Sequence, residues 1–514
     1  MRNEERVRER IVPNVGSFAT QGMTSCRDLN LLMLLPLLML LLLLSPLLSH
    51  GQVRPLTLEQ VVTMARNDSP AAKIARYGLD IDYWRYESFK AQQLPLLSLS
   101  GDAPGFVSAI SSVRVGDGSQ VFFRQEDLNY NANLSLTQQL PFTGGSLSIM
   151  SGINRYVDLN GERSIWQSTP LILRLNQPLF QYNPIIWTRR IEPVRFDLAR
   201  TRFLETMENI SVDIANSFFD AYIAKMNLDN ATYNVAINDT LFTISKGRLE
   251  VGRIGENDLL QSELQLMNAR ISLDNAKLEY ERALEQLKIE LNLPMDEEID
   301  IIPPDQIPSV MVNPSLAVSE AMRNRSTMLD WKLQRLEADR SLAQAKTTNS
   351  LSATLRAGYG LNQTASEFGD VFTNPLEQQN ISVGFSVPLV QWGRHKADVR
   401  SAESSKRQVD ERIDLEVRRF EQDISYQVQR FLQLQSQVDL AARSDTIAQR
   451  RFEVASNRYR IGRIDITNLF IAQNEKDSAR QNYIQTLRNY WTAYYRLRQS
   501  TLYDFEQGMR LVVE

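Results

Sequence analysis

Catalysis and metal binding rely on a few residue types at workable spacing, and this sequence is poor in them. Its 514 residues hold two histidines, His50 and His395, and one cysteine, Cys26. A metal site needs clustered His and Cys, and an activated nucleophile needs an imidazole beside it. Three such residues spread along the chain supply neither. The many Asp, Glu, Lys and Arg are scattered over segments of helical period, and the chain has no glycine-rich phosphate loop or nucleophile motif. These residues point away from an enzyme: no catalytic residues, no cofactor and no metal are expected. A formal charge of −4 gives no basic footprint, so nucleic acid is not an expected partner.

What stands out instead is a motif written twice. "VGRIGENDLL" begins at Val251 and "IGRIDITNLF" at Ile461, which sets Gly252 and Gly462 210 positions apart (462 − 252). Glycine closes a helix by adopting the left-handed conformation, and a polar residue such as Asn257 or Thr467 can open the next one. Each motif therefore reads as the tip of a helical hairpin, exposing Arg253 and Ile254 in the first and Arg463 and Ile464 in the second. The register extends backwards, because Pro178-Leu179 and Pro388-Leu389 are also 210 apart. Two hairpins of equal reach follow, with both tips at one level.

The elements that must position these tips are long. Segments from Trp187 to Glu250 and from Gly393 to Arg460 contain proline only at Pro193, and more than sixty helical residues span roughly 95 to 100 Å. Ile413, Val417, Phe420, Ile424, Val428 and Phe431 form one apolar stripe of the kind used in coiled coils. Shorter helices return over 256–291 and 467–504, and helix-like segments over 57–92 and 314–347 open the two blocks. Between these lies strict alternation. "LNYNANLSLTQQL" sets Leu134 and Leu136 against Ser135 and Thr137, and "QNISVGFSVPL" sets Val383 and Phe385 against Ser382 and Gly384. Such strands have one apolar and one polar face. Four strands are expected in the first block, at 94–101, 128–140, 145–156 and 169–178, and two in the second. "PFTGG" makes a short turn, while 102–127 and 157–168 are expected to be longer polar loops.

The run "LLMLLPLLMLLLLLSPLLSHGQ" from Leu31 is shorter than a membrane span and ends in a small-x-small pattern, so residues 1–51 read as a signal peptide. Residues 52–293 form the first repeat, 294–313 a proline-rich linker and 314–510 the second repeat. The fold class is a mixed one: all-α coiled-coil hairpins plus a transmembrane β-barrel, built from a tandem internal repeat.

Over residues 52–510 the chain resembles the TolC-type outer-membrane efflux family. "NQPLFQYNPIIWTRR" and "SVPLVQWGRHKADV" are similar to that family's strand-to-helix junctions, and "EVGRIGENDLLQSE" and "YRIGRIDITNLFIA" to its two periplasmic tips. The resemblance implies that the helices close into an all-α coiled-coil barrel of their own, giving a homotrimeric α/β-barrel duct in the bacterial outer membrane with a long periplasmic portion. Its partners would be a periplasmic adaptor, docking on Gly252, Arg253, Ile254, Gly462, Arg463 and Ile464, and an inner-membrane pump. Leu134, Leu136, Val383 and Phe385 would face outer membrane lipid. The function implied is an efflux or type I secretion duct; the alternative reading is a periplasmic coiled-coil adaptor or structural scaffold without transport activity. The family's gate uses an acid six residues after the first tip glycine and a tyrosine three before the second, here Asp258 and Tyr459. Its gate arginine falls on Ile464, with Arg463 adjacent, and its second acid falls on Asn468. The family usually has four strands per subunit, twelve in a trimer; six here would give eighteen, and the barrel's strand number stays open between the two.

Overall fold

The computed structural model describes residues 54–161, 163–304, 307–308 and 310–512. The expected signal peptide, with Cys26 and His50, lies outside them.

The described chain holds two hairpins that match residue for residue. The descending helices α3 (Pro184–Glu250) and α7 (Arg394–Arg460) are 67 residues each, and the returning helices α4 (Glu256–Leu291) and α8 (Ile466–Thr501) are 36 each. Every boundary of the second hairpin falls 210 positions after its counterpart in the first. Asn183 starts α3 by accepting a hydrogen bond from the Ile185 amide (3.0 Å) ahead of Pro184 at the first helical position, where the missing amide costs nothing. Pro193 sits inside α3 without ending it. In the hairpin region α3 packs on α4 and α8, and α8 packs on α7, so the helices run in the order α4, α3, α8, α7.

The helix-like openings are each two helices, α1 (Leu58–Asp68) with α2 (Pro70–Ala91), and α5 (Pro314–Asn324) with α6 (Ser326–Thr347). The break before α2 comes from Pro70, with Ser69 accepting from the Ala72 amide (3.0 Å). These short helices pack around the middle of the long ones, over a core in which Phe218, Phe219, Phe431 and Tyr490 are fully buried. Burial pushes the Tyr490 and Tyr494 phenols well above their ordinary pKa, and Tyr495 to about 12. The proline-rich connection is ordered: β6 (Ile299–Ile302) pairs with β1 (Arg54–Thr57), and Val310 and Val312 are buried.

Six strands form one antiparallel sheet in sequence order: β2 (Leu96–Arg114), β3 (Gln120–Leu140), β4 (Gly145–Asp158), β5 (Arg163–Leu179), β7 (Ser352–Ala365) and β8 (Leu376–Ser386). The expected four-plus-two division holds, but the expected polar loops do not. Strands β2 and β3 continue through 102–127 to a tight turn at Val115–Ser119, and β4 and β5 continue almost to each other. The Pro141–Gly144 turn does lie at the end where strands become helices, since Asn183 Nδ2 donates to the Pro141 carbonyl (3.0 Å) and Gln177 Nε2 to that of Thr143 (3.0 Å).

Candidate functional site

Register sorts the sheet into two faces. Leu97, Leu136, Ile149, Leu173 and Tyr359 lie side by side across five strands, and Leu147, Leu175, Ala357 and Ile381 form the next such row. By alternation Leu134, Val383 and Phe385 share this face, and the four residues singled out from sequence are 37 to 75 % exposed on it. The opposite face is polar and bonded to itself. Ser98 and Ser135 hydroxyls meet at 2.8 Å, those of Thr137 and Ser148 at 3.0 Å, and Asn131 Nδ2 donates to Asp102 (2.8 Å). Arg174 and Arg356 stand on the polar face of neighbouring strands, beside Gly358 and Gly384. A sheet whose exposed outer face is apolar and whose inner face is hydrated suits a wall between lipid and water.

The wall has two unsatisfied edges. Strand β8 is exposed along its whole length and β2 nearly so, each with a row of backbone groups that no strand among the described residues pairs. The helical layer is unfinished in the same places. Leu260, Leu264, Met267, Ile271 and Leu278 make an apolar stripe on α4, all more than half exposed, and Leu440, Ile447 and Val454 on α7, with Ile461 just past its end, recur every seven residues, also more than half exposed. Both are coiled-coil seams without a partner among the described residues.

At the tips the two glycines have φ of 69° and 74°. Open space surrounds a Cβ built on either, so glycine is required by backbone conformation rather than by crowding, and alanine there would cost about 1 to 2 kcal/mol. Each turn closes the same way. Arg253 N donates to Arg248 O (2.8 Å) and Gly252 N to Leu249 O (2.9 Å); Arg463 N donates to Arg458 O and Gly462 N to Tyr459 O, both at 2.9 Å. Arg253 and Arg463 are exposed, but Ile254 and Ile464 are half-buried, and Ile464 packs on a small core of Leu241, Phe452, Tyr459, Ile466 and Leu469. The next helices are opened by Gly255 and Asp465, not Asn257 and Thr467; the Asp465 carboxylate accepts from the Asn468 amide (2.8 Å).

Tyr459 is 3 % exposed. Arg248 of α3 lies over its ring, with the guanidinium carbon 5.0 Å from the ring centroid, and also donates to its carbonyl (3.5 Å). This contact ties the end of the first descending helix to that of the second. Asp258 is half-buried in the first turn of α4, where a carboxylate favours the helix N-terminus. No hydrogen bond joins it to Tyr459 within the chain. Sequence reasoning overlooked Arg248; the signal available was its counterpart Arg458, 210 positions on. Among the described residues no helix is long and apolar enough to cross a membrane, and no group of His, Cys, Asp and Glu is placed to hold a metal.

Residues 317–501 match the family model for outer membrane efflux protein. No curated protein sequence matches the chain. Among solved structures, the chain is similar to the CmeC outer membrane channel of Campylobacter jejuni, at 16% identity and TM-score 0.63 over 89% of this chain and 87% of that one. It is similar to CusC at 13% identity and TM-score 0.61, over 86% and 91% of the two chains. With the outer membrane protein VceC of Vibrio cholerae the values are 13%, 0.60, 88% and 96%. At these identities the likeness establishes the fold.

Proposed function

We propose that this chain, whose residues 317–501 match the outer membrane efflux protein family model, belongs to that family, and that three copies close its open edges into one continuous duct. Its function is that of an outer-membrane duct in tripartite efflux. The observation that carries the closure is that both layers end unsatisfied at the same two places. Strand β2 and helix α4 belong to the first repeat, β8 and α7 to the second. Joining β8 of one copy to β2 of the next also brings α7 of the first to α4 of the second. The seams agree in level: Leu260 and Val454 each stand eight residues from their tip glycine (260 − 252, 462 − 454), and Met267 and Ile447 each stand fifteen (267 − 252, 462 − 447).

In this reading the apolar face, with Leu134, Leu136, Val383 and Phe385, meets lipid and the polar face lines an aqueous lumen. An adaptor or scaffold that stays in the periplasm has no use for an exposed apolar sheet. The six tips form a ring for a periplasmic adaptor that bridges to an inner-membrane pump, with Arg253 and Arg463 as the exposed contacts. The same ring gates the duct. In this reading Arg248 on Tyr459 holds the two hairpins of one copy together, while Asp258 on α4 and Arg463 beyond α7 meet across the seam between copies. Asn468 adds no charge to the constriction.

The test is a Leu260→Cys/Val454→Cys double variant lacking Cys26, oxidised in isolated outer membranes. Linked oligomers up to a trimer are expected. Monomer alone, in a protein that does not float with outer membranes, would overturn the duct.

A further inference from the structure

The hairpin of β2 and β3 outgrows the rest of the sheet. Leu159, just past the end of β4, donates to the Glu126 carbonyl (2.8 Å) and Asn160 Nδ2 reaches that of Arg124 (2.6 Å). From the pair Ala109–Gln125 to the pair Arg114–Gln120 the two strands pair with no other strand among the described residues. Six residue pairs rise about 20 Å beyond the wall, at the end opposite the helices.

The polarity of its faces changes along this rise. On the face that lines the lumen below, β3 reads Thr137, Ser135, Asn133, Asn131, Asn129, Asp127 and Gln125, and then Phe123 and Val121. Strand β2 on the same face ends in Val107, Ala109, Ser111 and Val113. The other face, apolar at Leu136, Leu134 and Leu128, takes on charge among its apolar groups: Arg124 pairs with Glu126 (2.7 Å) and Ser108 donates to Glu126 (3.3 Å), beside Phe106, Ile110 and Phe122, which are 60 to 78 % exposed. The inward side is therefore apolar where water would surround it, with Val107, Val113, Val121 and Phe123 each 43 to 52 % exposed. A lone two-stranded ribbon with such a face is not stable in water. Lipid cannot cover it, because it continues the lumenal face.

Resting on the duct reading above, we infer that the ribbons of the three copies meet through this face over the outer mouth and form an apolar lid. The occupant of each ribbon's face is the same face of the other copies, and the contact continues the seam in which β2 already takes part. The lid is incomplete in one chain and closes the end away from the helical tips.

Three single-cysteine or double-cysteine proteins lacking Cys26 test this in cells: Val121→Cys, Ile110→Cys on the opposite face, and the seam pair Leu260→Cys/Val454→Cys. Disulfide-linked dimers are expected from Val121→Cys and from the seam pair, and none from Ile110→Cys. Linkage at the seam without linkage at 121, or linkage at 110 instead, overturns the lid and leaves the duct standing; linkage at neither seam nor ribbon overturns both. A second readout bypasses the periplasmic gate. Ser135→Cys in the lumen should react with an impermeant maleimide applied outside the cell several-fold faster when Phe123→Asp is added. An unchanged rate also rejects the lid.

Discussion

Replacing Arg248 by alanine should open the tips. The guanidinium covers the face of a Tyr459 ring that is almost fully buried, at 5.0 Å from its centroid. A half-exposed cation over an aromatic face contributes about 1 kcal/mol. If three copies move together the loss is about 3 kcal/mol, and the ratio of open to closed duct rises roughly 150-fold. Resting single-channel conductance in planar bilayers reads this as more frequent openings. Tyr459→Phe keeps the ring under Arg248 and removes only a hydroxyl with no acceptor among the described residues, so its conductance should stay near that of the native protein. Tyr459→Leu should open the duct as Arg248→Ala does, and the double variant should add little, because one contact is being removed. Arg248→Ala leaking no more than the native protein, or two losses that simply add, would refute this contact as the latch. A leak reproduced by Tyr459→Phe together with Asp258→Ala would refute it as well and put the latch in a phenol–carboxylate bond between copies.

Three further outcomes are expected. Leu136→Arg or Val383→Arg near mid-membrane should destabilise the barrel by about 2 to 4 kcal/mol in urea titrations of protein in lipid vesicles, while Ser135→Arg on the polar face should not; equal losses would reject the assignment of faces. Cysteines at Arg253 or Arg463 should crosslink to a periplasmic adaptor in cells, and crosslinks arising only near the barrel would remove the tips as the docking site. Glu320 is held below the usual carboxyl pKa by its hydrogen bonds from Arg510, at 2.7 and 3.1 Å. A depressed folded value contributes stability above the ordinary pKa near 4.5, which is lost as pH falls through the lowered value. Glu320→Gln should cost roughly 1 kcal/mol at neutral pH after solvent screening and flatten the acid limb of the melting curve; an unchanged limb refutes the linkage.

The helical half was readable because glycine and proline mark its boundaries directly. Gly252 and Gly462 sit where the left-handed turn requires them, and the equal spacing foretold helices of equal length. The strands were readable only where their faces kept one polarity. Between Asp102 and Gly105 a bulge shifts the period, and at Gln125–Glu126 the faces exchange character, so a continuous strand looked like a polar loop. Burial of Ile464 and the Arg248 contact depend on how α3, α7 and α8 meet, which no local pattern specifies. The break between α5 and α6 at Arg325 has no glycine or proline to announce it.

The additional hairpin also changes the fit between the two halves of the molecule. Strands about 4.8 Å apart and tilted by about 40° each occupy about 6 Å of perimeter, so six of them take up about 37 Å. Four helices packed 8 to 10 Å apart take up about 32 to 40 Å. In the proposed trimer, six strands on four helices give matching circumferences at the junction, and a solute crossing from one half to the other would meet neither a funnel nor a shoulder.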